Sequence, residues 1–262
     1  MKKLHFYYLL VAALFTVSLS SYADSPSEKV RPIPSISEEW KFSVTPYAWL
    51  PGISADSPTT SRSSSADVSA GDVLRHLDGA VMISSQAHYG RWGVLADIAH
   101  AELGKQGTHL SNAGIHPTYS LKLTTYTVGL TYNLVHRPDF YLESITGARH
   151  INATVGWDLD LPNLALSDRS GSREANALDP VMGLKGRKQI ASTDWYIPFY
   201  IDVAIPSNRT DSTWQAMLGL GKAYTWGDVI LGYRVLYYDM KDGEPVQKTR
   251  LGGFSLGVGF NF

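Results

Sequence analysis

Read two residues at a time, the chain from Trp40 to its end sorts into short segments with one apolar and one small or polar face. In the last, Gly252 to Phe262, the residues Phe254, Leu256, Val258, Phe260 and Phe262 share a side, and Ser255, Gly257, Gly259 and Asn261 share the other. A period of two with one wholly apolar face is the pattern of a β-strand. The same alternation places Trp40, Phe42, Val44, Ala48 and Leu50 together, then Val81, Ile83, Ala87 and Tyr89, then Trp92, Val94, Ala96 and Ile98. It recurs over Leu121–Leu134, Leu178–Ile190, Trp195–Ile205, Trp214–Tyr224 and Val229–Tyr237. Phe140–Val155 alternates most weakly and is expected to carry a bulge, and Pro46, which cannot donate to a ladder, predicts an irregularity in the first strand. Stretches rich in Ser, Thr, Asp and Gly predict long loops over Pro51–Gly79, Gly104–Ser120 and Trp157–Ala177. Tight turns are expected at Gly90-Arg91, His136–Asp139, Ala191–Thr193 and Trp226–Asp228.

Ten strands result, with connections that alternate long and short. Short turns on one side, longer loops on the other, an even strand number and both termini at the short-turn end are the rules of an up-and-down transmembrane barrel. The fold expected is therefore an all-β, antiparallel transmembrane β-barrel over residues 40–262, of about ten strands, with eight or twelve as alternatives. Aromatic residues sort by strand end, as membrane interfaces require. Trp40, Trp92, Trp195 and Trp226 form a girdle beside the short turns, while Trp157, Trp214, Tyr237 and Phe254 lie near the loops.

The amino terminus changes the picture in one respect. Met1-Lys2-Lys3, the apolar run Leu9–Phe15 and the triplet Ser21-Tyr22-Ala23 compose a signal peptide over 1–23, cleaved near Ala23, followed by a polar, flexible periplasmic lead-in over 24–39. Cleavage removes two lysines and no acid, moving the formal charge from −1 to −3, a balance that suggests no nucleic-acid partner. With no cysteine, neither a disulfide framework nor a thiolate metal site is expected.

Three stretches carry a family resemblance: Trp40–Trp49 gives W-x5-P-Y-x-W, followed by Asp179–Arg187 (DPVMGLKGR) and Gly232–Tyr237 (GYRVLY). With the terminal Phe262, these resemble a family of small proteobacterial outer-membrane β-barrels, and the alternation from Phe254 to Phe262 resembles the closing strand that such proteins present to the insertion machinery. The resemblance implies the barrel fold and a Gram-negative outer-membrane location, and no activity or catalytic residue.

If the apolar faces meet lipid, the opposite parity lines a lumen bearing Lys41, Asp97, Glu143, Arg149, Asp179, Lys185, Arg187, Asp202 and Arg234. The near balance of sign predicts ion pairs across a narrow interior without an open pore. The function expected is a structural or binding role at the cell surface, through the loops, toward an unidentified ligand. A small-solute channel is the alternative, and a hydrolase with a rim site the second. For the hydrolase the pieces are His100 with Glu102, His109 and His116, and Asp158, Asp160 and Asp168. His100 has lipid-facing parity, so no catalytic set is assigned. Asp158-x-Asp160 lacks the further oxygen ligands and closing Glu of a calcium loop, and neither metal nor cofactor is expected.

Overall fold

The computed structural model describes residues 30–59, 62–106, 116–160, 169–207, 209–241 and 248–262. The expected signal peptide and the first part of the lead-in lie outside these residues. The elements are β1 (Lys41–Thr59), β2 (Arg62–Val68), α1 (Ala70–Arg75), β3 (Leu77–Tyr89), β4 (Trp92–Gln106), β5 (His116–Arg137), β6 (Phe140–Asp160), β7 (Arg169–Gln189), β8 (Trp195–Ala204), β9 (Thr210–Tyr224), β10 (Gly227–Met240) and β11 (Lys248–Asn261). Each strand from β3 to β11 pairs antiparallel with its sequence neighbour, and β11 returns to β1, closing a ten-stranded barrel to which β2 is one extra strand. The last residue takes part in the seal, since the Phe42 and Phe262 amides each donate to the other's carbonyl at 3.0 and 2.8 Å.

Closure matters because a strand edge left in hydrocarbon has no water to satisfy its amides and carbonyls. The faces are sorted as a membrane requires. Leu178, Leu218 and Leu130 point outward at 63, 62 and 58% exposure, while Arg149, Asp179 and Asp202 point inward at 1%. Water-exposed leucines around buried charges would invert the usual balance of burial; hydrocarbon outside restores it. The four girdle tryptophans are exposed, and Trp40–Tyr89, Trp92–Tyr132, Tyr224–Trp226 and Trp226–Phe260 meet with ring centroids 4.7 to 5.7 Å apart around the turn end. Gly90 holds the β3–β4 turn at φ 57°, a conformation costly for any residue with a Cβ.

Two expectations are corrected. The stretch 51–79 is not a loop throughout: β1 runs on to Thr59, turns back as β2, and leads into α1, whose Ser69 cap accepts from the Asp72 amide at 3.1 Å. A hairpin above the bilayer needs no apolar face, so its alternation is invisible in Ser, Thr and Asp. The other two long loops shrink for the same reason, since β4, β5, β6 and β7 extend into them. The expected bulge belongs to β5, where the register with β6 shifts between Asn133 and Val135. The weak alternation of β6 has another cause: Tyr141, Ile145 and Ile151 face inward and are buried, leaving Thr146, Ala148 and His150 outside. Within the lead-in, Pro32 and Ile33 are buried, Ile33 at 5% exposure.

One seam of the wall is incomplete. The β1–β11 register omits Thr45 and Pro46 and resumes from Tyr47 to Asp56, whereas the β1–β3 ladder runs only from Lys41 to Pro46. Beyond Pro46, β1 and β3 diverge, and β1 takes β2 as its next partner only from Ile53. The Trp49 amide in this gap donates to the Met82 sulfur at 3.2 Å.

Two outcomes are expected. Removing Ser57–Ser69 should leave the barrel closed, read as an unchanged heat-modifiable shift on a gel. Gly147→Val should be costly, because a Cβ there meets the Val128 carbonyl oxygen at 2.0 Å; a loss of about 1 to 3 kcal/mol in urea unfolding is expected.

Candidate functional site

Inward positions of β3 to β11 converge on a lumen divided into two halves. The turn-end half is a polar cavity of about 870 Å³, lined among others by Gln86, His88, Asp97, Glu143, Lys185, Arg187 and Arg234. The loop-end half is filled by an apolar cluster in which Leu236, Tyr238, Leu251 and Trp49 are 0, 2, 2 and 3% exposed, together with Ile151 and Met240. Alternation brings both sets of side chains inward, and at the loop end Asp179 with Thr210 and Thr213 adds a polar group beside the apolar cluster.

Ion pairs line the polar half and its boundary. Arg149 makes a two-pronged pair with Asp202 and donates to the Thr127 hydroxyl at 3.2 Å. Lys185 meets Glu143 at 3.0 Å and also hydrogen-bonds Gln86, while His88 approaches the other Glu143 oxygen at 3.1 Å. Arg234 joins Asp97 at 3.1 Å, the Tyr47 hydroxyl at 2.8 Å and Gln215 at 2.8 Å, and its guanidinium stacks on the Trp49 ring at 4.8 Å. This Tyr47–Asp97–Arg234–Trp49 group forms the partition, polar on one side and apolar on the other. Charges removed from water this completely are tolerable only when paired and hydrogen-bonded.

Of the nine charged residues the parity places in the lumen, seven join ion pairs: Arg149 with Asp202, Lys185 with Glu143, Arg234 with Asp97, and Arg187 with Asp228 at 3.0 Å. Asp179 instead accepts from the Thr210 and Thr213 hydroxyls at 2.7 and 3.2 Å, and Lys41 donates to the Ser35 hydroxyl at 2.6 Å. Sequence reasoning missed Asp228 by assigning it to a turn. It is the second residue of β10 and shares the parity of Arg234, so extending that strand by one residue finds it. Gln86 and Gln215 share inward parity with His88 and Met217 and were equally accessible to that rule. In the β5–β6 turn, outside the membrane-spanning strands, a hydrogen bond from Lys188 holds the Asp139 carboxyl below the usual carboxylate range.

The turn-end mouth is crossed by residues 30–36, which line the cavity. Arg187 donates to the Pro32 carbonyl at 3.3 Å, His136 lies 2.9 Å from the Pro34 carbonyl, and the Gly90 amide donates to the Ser37 carbonyl at 2.8 Å. The lead-in is thus a strap tied to two strands and the β3–β4 turn.

The rim candidates do not assemble. His100, Glu102 and Lys122 meet on the outer face of β4 and β5, with His100 2.8 Å from the Thr124 hydroxyl and 3.4 Å from Glu102. His109 and Asp168 lie outside the described residues; His116 and Asp160 are cross-strand partners, and Asp158 is exposed. Among the described residues no group of three or more His, Asp or Glu is placed to hold a metal ion.

No family model matches the sequence, and no curated protein does. Among solved structures, the outer-membrane protease OmpT of Escherichia coli aligns over 87% of this chain and 99% of its own, at 9% identity and a TM-score of 0.53. The translocator domain of the autotransporter NalP of Neisseria meningitidis (12% identity, 86% and 89% covered, TM-score 0.39) and the attachment protein Ail of Yersinia pestis (13%, 86% and 100%, TM-score 0.38) also match. With its closed ten-stranded wall and the OmpT match, the chain has the fold of the outer-membrane β-barrels.

Arg149→Met, which strands Asp202 at 0% side-chain exposure, should lower unfolding free energy by about 3 to 5 kcal/mol. The double variant Arg149→Met/Asp202→Leu should recover most of that loss in the same urea titration.

Proposed function

We propose that the protein is a non-conducting barrel of the Gram-negative outer membrane, acting as a structural and binding element at the cell surface. The observation that carries this reading is the filled loop-end lumen: Trp49, Ile151, Leu236, Tyr238 and Leu251 occupy the axis where a channel would need water. An apolar constriction of packed side chains excludes water and with it ions. The polar cavity beneath lies at the turn end, where the strap crosses it.

In this reading the turn end, with both termini, faces the periplasm, and the loop end faces outward. The outward loops and the β1–β2 hairpin are the surface offered to a partner, since loops on a rigid scaffold usually carry binding. Phe254, Leu256, Val258 and Phe260 lie on the outer face of β11 and Phe262 follows its last residue, exposed, which supports their reading by the insertion machinery before the seam closes and their contact with lipid afterward. The outward placement of His100 and Glu102 argues against hydrolysis at the rim.

Bilayer recording tests this. The refolded protein, its insertion established by protease protection, should give no discrete conductance steps. Discrete, salt-dependent steps would replace the reading with a channel.

A further inference from the structure

The open seam between β1 and β3 leads somewhere. Behind it lies a cavity of about 170 Å³, set in the loop-end half of the lumen and lined almost wholly by apolar side chains, among them Leu77, Met82, Ala99, Leu103, Leu121 and Leu123. Trp49 and Tyr47 form its floor, and these are the same residues that carry Arg234 on their far side. Val73 of α1, at 5% exposure, closes it toward the loops. Two sides are thus blocked, one by the charged partition and one by the helix. The remaining side is the wall itself.

Three features of that wall set it apart from an ordinary ladder. From Tyr47 to Gly52, β1 has a partner on its β11 edge and none from β3. The Trp49 amide, which would donate to a β3 carbonyl in a continuous sheet, is taken by the thioether of Met82, a weak acceptor on a flexible side chain. Pro51, two residues on and on the same strand edge, has no amide to leave unpaired. At Trp49 and Pro51 the open edge thus presents no free donor, and the flexible Met82 side chain stands in the gap. Its outer lip is Ala48 and Leu50, which pair with Leu256 and Phe254 of β11 at 53 and 67% exposure, within the apolar belt.

We propose that this crevice binds the terminal segment of an acyl chain of a bilayer lipid, admitted sideways through the β1–β3 seam past Met82. Apolar cavities of about 150 Å³ stay dry and accept a hydrocarbon group about the size of benzene, so water is a poor occupant and several methylenes a fitting one. The lipid is favoured as their source because the lip is continuous with the lipid-facing surface and α1 stands between the cavity and water. The proposal rests on the membrane reading above. It adds a ligand to a barrel that conducts nothing along its axis.

The test uses Trp49 as the reporter. In a protein keeping Trp49 alone, with the six other tryptophans changed to phenylalanine, reconstitution into phosphatidylcholine brominated near the acyl terminus should quench Trp49 emission. Ala99→Leu and Ala80→Leu, which fill the cavity, should each abolish that loss while the folded band shift persists. Should the six-fold variant not fold, the difference between the unaltered protein and Trp49→Phe gives the same reading. A protein keeping only Trp92, in the turn-end girdle, must be quenched by phosphatidylcholine brominated close to the headgroup, and its failure would overturn the membrane reading itself. With Trp92 quenched, an unquenched Trp49 overturns the crevice, as does quenching that survives both filled variants. Quenching by a brominated fatty acid added in detergent, with none from the brominated bilayer, would overturn the lipid as the occupant in favour of a free acid.

Discussion

The whole structure answers to one constraint: inside a bilayer no backbone amide or carbonyl can turn to water, so every strand must find a partner on both edges. Ten strands satisfy it by closing on themselves, and the joint between β1 and β11 is made partly by the terminal residue, Phe262. Once the wall is closed its two faces become different solvents. The outer takes leucine, valine and aromatic rims. The inner is narrow enough that side chains from opposite walls meet, and there charge must be matched by charge. Arg149 with Asp202, and Arg234 with Asp97, Tyr47 and Gln215, are consequences of that geometry.

The same constraint explains where the interior is polar and where it is dry. The turn-end half holds a cavity with paired charges and is covered by a strap whose carbonyls take hydrogen bonds from Arg187 and contact His136. The loop-end half is a hydrophobic core in the ordinary sense, with Leu236 and Tyr238 at its centre. The boundary is one layer thick: Trp49 belongs to the core by burial and to the charged network by the guanidinium on its face. Where the constraint is locally relaxed, beyond Pro46, a thioether and a proline stand in for the missing ladder.

Much of this was legible in the sequence because the barrel wall writes its two environments into alternate positions. The parity that put Leu218 outside and Asp202 inside needed no knowledge of the partners, and the girdle of Trp40, Trp92, Trp195 and Trp226 followed from where the turns fell. What stayed hidden shares a physical cause. The β1–β2 hairpin and the upper parts of β5, β6 and β7 project beyond the hydrocarbon, where neither face is required to be apolar, so the period of two carries no hydrophobic signal. Asp228 was hidden by its place beside a turn, and the inward Ile145 and Ile151, on the same face as Glu143 and Arg149, blurred β6 by mixing apolar residues into the lumen side. Pro46 announced an irregularity without saying that β1 and β3 would part there; that depends on pairing between segments far apart in sequence.

The central claim is that hydrocarbon touches the leucine-bearing face and that the charged face is enclosed. Nitroxide labels at Leu218, Ile201 and Val258, compared with labels at Ser84 and Met217 in the turn-end cavity, test it by collision with oxygen and with a water-soluble nickel chelate. The account predicts that the first three favour oxygen, as lipid-exposed sites do, and that the last two do not. Labels at Leu218, Ile201 and Val258 that collide freely with the nickel chelate in the reconstituted protein would contradict it.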